Sequence, residues 1–134
     1  MSRIILTQIP EYQITFDPQL LSFLPMNRRA KIGRYRRAND KALCFAAGLA
    51  VIRSCMDMCD ASPSDITLIT EDNHAPYVVH KGEKIFASIS HSDRYAAVIT
   101  DTLPCGIDIE HKNIDLNAMR SAVNFFHFNC NIGL

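Results

Sequence analysis

Two carboxylates, Asp108 and Glu110, stand two residues apart in the alternating stretch Gly106-Ile-Asp-Ile-Glu110. In an extended segment such residues share a face, so both acids project one way while Ile107 and Ile109 project the other. Paired carboxylates suit a hard cation such as Mg2+, which keeps several waters and is completed by substrate phosphates. The same pair also fits an ordinary solvated strand face. Upstream, His91 sits among Ser88, Ser90 and Ser92. An imidazole, hydroxyls and loop N–H groups at a strand end can together receive a phosphate, although a strand-end His also serves as a hydrogen-bonded structural residue. Charge is segregated as well. Of the 14 basic residues, Arg28, Arg29, Lys31, Arg34, Arg36, Arg37 and Lys41 fall within 28–41 beside a single acid, Asp40. Beyond Ser54 the acids outnumber the bases 11 to 5. The basic segment is either a solvated charged helix or a surface for an anionic ligand or nucleic acid. It lacks interleaved aromatics apart from Tyr35, so no nucleic-acid partner is expected.

The elements that must position these residues follow from periodicity. Phe86 to His91, Tyr95 to Thr100 and Gly106 to Glu110 read as three strands, with breakers at Asp93-Arg94 and Thr102-Leu103-Pro104. They predict two hairpins of an antiparallel meander. Residues 3–9 are β-rich and end at Pro10, which predicts a first strand. Asp17-Pro18 opens a short helix, with Asp as N-cap and Pro at the first helical position. Met26 to Ala38 reads as an exposed basic helix with Met26, Ile32 and Tyr35 inward. Asn39-Asp40 caps a longer core helix running to about Met58 through Leu43, Phe45, Ala46, Leu49, Ile52 and Met56. On its outer face Arg53 and Asp57 are spaced to pair, and Cys55, Cys59 and the methionines are packing residues. A turn at 61–65, a strand at 66–70, a loop at 71–76 and a short strand at 77–79 lead to the polar turn 80–84. A last helix is predicted over 115–126, with apolar residues at 116, 119, 123 and 126.

At 134 residues, 48% hydrophobic and 21% charged, the chain has the composition of one ordinary globular domain. The pattern predicts an α+β fold, an antiparallel sheet packed on helices. Cysteines 44, 55, 59, 105 and 130 include one Cys-x-x-x-Cys pair without a second pair, which argues against zinc. Their odd number, with no secretory signal, predicts reduced thiols and a cytoplasmic location. No stretch approaches the roughly 18 apolar residues of a membrane span, so no membrane association is expected.

Two motifs in order, Phe86-Ala-Ser-Ile-Ser-His-Ser92 and Gly106-Ile-Asp-Ile-Glu110, resemble the 4'-phosphopantetheinyl transferases of the surfactin-synthetase-activating type. The resemblance covers nearly the whole chain but only the first part of the family's proteins, which are two similar α+β halves around coenzyme A and Mg2+. It implies that residues 1–134 form one domain equivalent to the first half of that fold. Asp108 and Glu110 would be metal ligands, and Ser90 and His91 would contact coenzyme A phosphate. Arg28 and Lys31 match the family's phosphate-contacting cations, and Asp40 matches the acid that follows them. Leu43 stands where the family usually has Arg. Of the family's Gly-Lys-Pro loop only Pro76 is kept, with His74-Ala75 replacing Gly-Lys. Asn124-Phe-Phe126 is similar to the family's Arg-Phe-Phe, and the likeness stops at His127.

The implied reaction moves 4'-phosphopantetheine from coenzyme A to a serine of an acyl or peptidyl carrier protein, with Mg2+ stabilising the pyrophosphate and a base activating the serine. The third acidic ligand and the Trp-x-x-Lys-Glu-Ala helix carrying the base and a catalytic Lys belong to the family's second half. These 134 residues contain no Trp. Two readings follow. One is an enzyme completed by another chain or a second copy; the other is a non-catalytic remnant or coenzyme A-binding module. A frameshift and an evolved short form both explain the unfamiliar tail.

Overall fold

A computed structural model describes residues 2–10, 14–111 and 126–132. The predicted helix at 115–126 therefore lies outside the described residues except for Phe126, which opens a strand. The fold is α+β. Strands β1 (Arg3–Gln8), β2 (Thr67–Ile69), β3 (Tyr77–His80), β4 (Glu83–Ser92) and β5 (Tyr95–Asp101) form an antiparallel sheet in the order β1-β5-β4-β3-β2. Helices α1 (Pro18–Ser22), α2 (Met26–Arg34) and α3 (Ala38–Cys59) precede β2. Strands β6 (Cys105–His111) and β7 (Phe126–Ile132) pair antiparallel as a separate ribbon.

Helix α3 is the centre of the core. Val51 and Cys55 are fully buried, and Leu43, Phe45, Ala47 and Ile52 join Val78, Ile85, Ala87, Ala96 and Val98 from the sheet in one cluster. Apolar residues run nearly all round this helix because it packs on the sheet at one side and on α2 at another. By length and composition α3 is apolar enough to cross a membrane, with mean hydropathy 1.6 over an 18-residue window. That corrects the reading that no stretch approaches a membrane span. Here 61% of the window is buried inside the fold, where α3 serves as a core helix. Its N-cap is Arg37, two residues before the first predicted cap and without a side-chain bond, and Asn39 instead donates to the Asp93 carbonyl at 3.0 Å. At its end Asp60 adopts a left-handed conformation (φ 49°) and its N–H returns to Met56 O.

The local signals at α1 act as read, since Asp17 Oδ1 accepts from the Gln19 and Leu20 N–H groups at 2.8 and 3.3 Å. Helix α2 is shorter than predicted, and Met26 is 78% exposed rather than inward. The reason is angular. Six residues separate Met26 from the buried Ile32, about 600° of helical rotation, so the two cannot share a stripe; Arg28, Ile32 and Tyr35 can. Arg53 and Asp57 pair at 3.4 Å on the outer face of α3.

The β4–β5 hairpin forms, with a two-residue turn in which Asp93 has φ 55°. The second predicted hairpin does not. Both edges of β5 are already taken, by β1 and β4, so no ladder is open to β6. Strand β6 instead crosses the sheet face opposite α3, where Ile107 and Ile109 pack on Ala97 and Ile99. Successive residues of β5 point to opposite faces, so this one strand serves both clusters: Ala96 and Val98 face α3, and Ala97 and Ile99 face β6.

Candidate functional site

Arg28 and Lys31 of α2, Pro76 of the loop before β3 and His91 of β4, three separate segments, line one cleft of about 370 Å3. Its walls are α2, the start of α3, the loop at 70–76 and the end of β4. Asp40, Leu43 and His74 line it too, so the positions that depart from the family pattern share the cleft with those that keep it. Leu43 is 3% exposed and gives the cleft an apolar patch of wall.

Each wall is held by an identifiable contact. Arg28 donates from Nε to the Cys44 carbonyl at 3.1 Å, tying α2 to α3. The helices approach closely at Gly48, where an added Cβ would lie 2.7 Å from Leu24 Cδ2 and 2.8 Å from Arg28 Nε. Lys41 Nζ donates to the carbonyls of Ile32 and Gly33 at 3.0 and 3.3 Å, closing the C-terminal end of α2. Such carbonyls have no partner within their own helix, and a cation is favoured there. Lys31 places its ammonium 5.9 Å from the Tyr35 ring centroid, a position consistent with a weak cation–π attraction. Asn27 latches the loop: its amide donates to the Thr70 carbonyl, and Thr70 Oγ1 donates back to Asn27 Oδ1 at 2.7 Å.

The two neighbours Ser90 and His91 do not face one pocket. His91 lines the cleft, whereas Ser90 turns to the β6 side. Alternation along β4 causes this split, and it removes the arrangement in which His91 shares a pocket with Ser88 and Ser90. Ser88 Oγ accepts from the Ile107 N–H at 3.2 Å and Ser90 Oγ from the Ile109 N–H at 3.1 Å. Side-chain hydroxyls thus stand in for the missing ladder between β4 and β6. Ser90 also donates to Asp108 Oδ1 at 3.1 Å, so the two sequence motifs meet through this pair.

Along β6, Ile107 and Ile109 are buried while Asp108 and Glu110 are exposed, so the acids do project from one face. Carboxylate oxygens of this kind would suit a hard cation better than a softer metal. Among the described residues no group of three or more His, Cys, Asp or Glu gathers as a metal cluster. The carboxylate pair is therefore at most part of a coordination shell.

Sequence reasoning missed Asn27, Thr70 and Glu71 at the cleft. Asn27 carried no signal beyond an amide in the first turn of a basic helix, and its partner lies 43 residues away. No protein-family model matches the chain, and no curated protein matches it.

Proposed function

We propose that this chain is the coenzyme A-binding unit of a 4'-phosphopantetheinyl transferase, with the fold of that family's first half. The observation that carries the reading is the convergence of Arg28, Lys31, Pro76 and His91 on one cleft. These residues were singled out in three separate stretches of sequence, and a chance set drawn from α2, the 71–76 loop and the end of β4 would not be expected to meet. The chemistry agrees. Arg28 offers a planar fork suited to phosphate, Lys31 a point charge and His91 an imidazole donor. The Arg28 Nε bond to Cys44 O fixes the guanidinium and lowers the ordering cost of using its remaining N–H groups.

Asp108 and Glu110 would hold Mg2+ on the other side of β4, next to Ser90. The metal would supply charge stabilisation to the pyrophosphate. Ser90, held between Asp108 Oδ1 and the Ile109 N–H, orients one carboxylate oxygen. The second substrate is an acyl or peptidyl carrier protein. The base and the catalytic Lys of the reaction have no counterpart in these 134 residues, so turnover needs groups from outside them. A chain that binds coenzyme A without transferring it is the alternative, and the binding surface is common to both.

The test is calorimetric titration of coenzyme A into the chain and two charge reversals. Lys31→Glu, in the cleft, should weaken binding at least tenfold, while Arg53→Glu, on the outer face of α3, should leave it within twofold. Equal effects of the two would mean that the basic segment acts as diffuse charge, and the assignment of the cleft would fail.

A further inference from the structure

Strand β1 forms one border of the main sheet, and among the described residues no strand pairs with its outer edge. The opposite border, β2, is blunted by its length of three residues, whereas β1 runs for six, Arg3-Ile-Ile-Leu-Thr-Gln8. Sheet edges are usually protected by proline, bulges, charges or brevity. None of these operates on β1: it contains no proline, its register against β5 is unbroken from Arg3 to Gln8, and its one charge stands at its end.

The ladder to β5 fixes which backbone groups are left over. The Ile9 N–H donates to the Arg94 carbonyl at 2.7 Å, so at every second step back along the ladder Thr7, Ile5 and Arg3 are the residues that bond to β5. The N–H and C=O groups of Ile4, Leu6 and Gln8 therefore point outward. Their side chains stand on the face that carries β6, since Ile4 is paired with Ile99 and Leu6 with Ala97, both of which pack on β6. Strand β6 leaves them uncovered, with Ile4 52% and Leu6 45% exposed.

Outward hydrogen-bonding groups and exposed apolar side chains on the same residues suit another strand, and β1 itself supplies a matching one. Turned end for end and centred on Ile5, a second β1 sets Ile4 opposite Leu6 and Leu6 opposite Ile4. Residues with outward N–H groups then face one another, and each exposed isoleucine covers an exposed leucine. Arg3 comes opposite Thr7, which keeps the two Arg3 side chains about 14 Å apart along the strands. Centring on Ile4 would halve that distance between like charges, and centring on Leu6 would set Ile4 against the Gln8 amide.

We infer that two copies of this chain pair through β1 in the register centred on Ile5, joining their sheets across a twofold axis. The edge is about 20 Å long and covers less than the roughly 800 Å2 per partner of a standard interface, so the dimer is weak and concentration-dependent. This pairing is independent of the coenzyme A reading. Sedimentation equilibrium over about 10–1,000 μM tests it with a charge swap. Ile4→Lys and Leu6→Asp should each weaken the dimer at least about tenfold, because each sets a charge against an apolar partner at two symmetric places. An equimolar mixture of the two variants should associate within about threefold of the unmodified chain, since the new lysine of one copy then faces the new aspartate of the other. Leu20→Asp, at a position 41% exposed on α1, should change nothing. All three positions are exposed, and unchanged far-UV circular dichroism is expected of the variants. An unmodified chain that stays monomeric at about 1 mM, single variants that associate as it does, a mixture that fails to recover, or an equal effect of Leu20→Asp would each overturn the pairing.

Discussion

Gly48→Ala sets two opposing effects against each other at the junction that holds Arg28. In an exposed helix interior the replacement stabilises by about 1 kcal/mol, because alanine loses less backbone entropy than glycine. At position 48 the new Cβ would stand 2.7 Å from Leu24 Cδ2 and 2.8 Å from Arg28 Nε, both closer than carbon contacts allow. Leu24 is 2% exposed and Gly48 itself is buried, so the leucine has little room to retreat. Overpacking of this kind costs about 1–3 kcal/mol. The net expectation is a loss of about 0–2 kcal/mol, or up to roughly 8 °C in Tm for a domain of this size. Ligand affinity should change more clearly than stability. Arg28 is the more mobile of the two neighbours, and displacing it breaks the 3.1 Å bond to Cys44 O and moves the guanidinium within the cleft. Urea unfolding followed by circular dichroism gives the first quantity, and coenzyme A titration the second. A variant that is about 1 kcal/mol more stable with unchanged coenzyme A affinity would refute the close approach and the role given to Arg28.

The Cys55 thiol is fully buried, and burial, helped by neighbouring Cys59, pushes its pKa up to about 12 from an ordinary 9.0. A folded chain should therefore label at Cys59 and Cys105 well before Cys55, whose reaction should follow unfolding; early loss of the Cys55 thiol by mass spectrometry would contradict its packing. Because the raised pKa favours the folded state only while the unfolded thiol stays protonated, this stability is complete below about pH 9 and lost as pH rises toward 12. Cys55→Ala should flatten that alkaline slope. Asp101 shifts the other way: the Ser2 hydroxyl and then the Leu103 N–H hold its carboxyl below the usual range, against the effect of burial. Its contribution is present above the ordinary carboxylate pKa and lost as pH falls through the depressed value, so Ser2→Ala should lower Tm at pH 7 and make little difference near about pH 2. Equal Tm differences at both pH values would mean that Ser2 acts without Asp101. With an apo carrier protein and Mg2+, the chain alone should transfer little or no labelled phosphopantetheine, since a missing general base typically costs about 100- to 10,000-fold. It should also self-associate through edge strand β1, where Ile4 and Leu6 are 52% and 45% exposed, and Leu6→Asp should reduce that association in light scattering. Robust transfer by a monodisperse monomer would overturn both expectations.

Local chemistry made much of the fold legible. Asp17-Pro18 marked a helix start because its cap bonds span only three residues, and the alternation from Gly106 to Glu110 separated inward isoleucines from outward acids. The sequence could not reveal where β6 would go. That outcome depends on β1 occupying the outer edge of β5, a pairing such as Ile4 with Ile99 that joins residues far apart in the chain. Met26 was misplaced because sparse apolar residues on a nine-residue helix set no clear stripe. At the candidate site, composition identified a basic segment but not which of its cations matter. Arg28 and Lys31 were separated from Arg29 and Arg34 only through the family resemblance. The Asn27–Thr70 latch was hidden because it is a contact between segments with no shared local pattern.

The most direct measurement is a calorimetric titration of coenzyme A into the chain, with and without Mg2+, repeated with Asp108→Ala. Binding is expected without metal, through Arg28, Lys31 and His91, and tighter binding with Mg2+, which Asp108 and Glu110 would hold and which would offset pyrophosphate charge. Asp108→Ala should keep the metal-free affinity and lose the tightening. Absence of coenzyme A binding at millimolar concentration, or a Mg2+ effect that survives in Asp108→Ala, would contradict this reading.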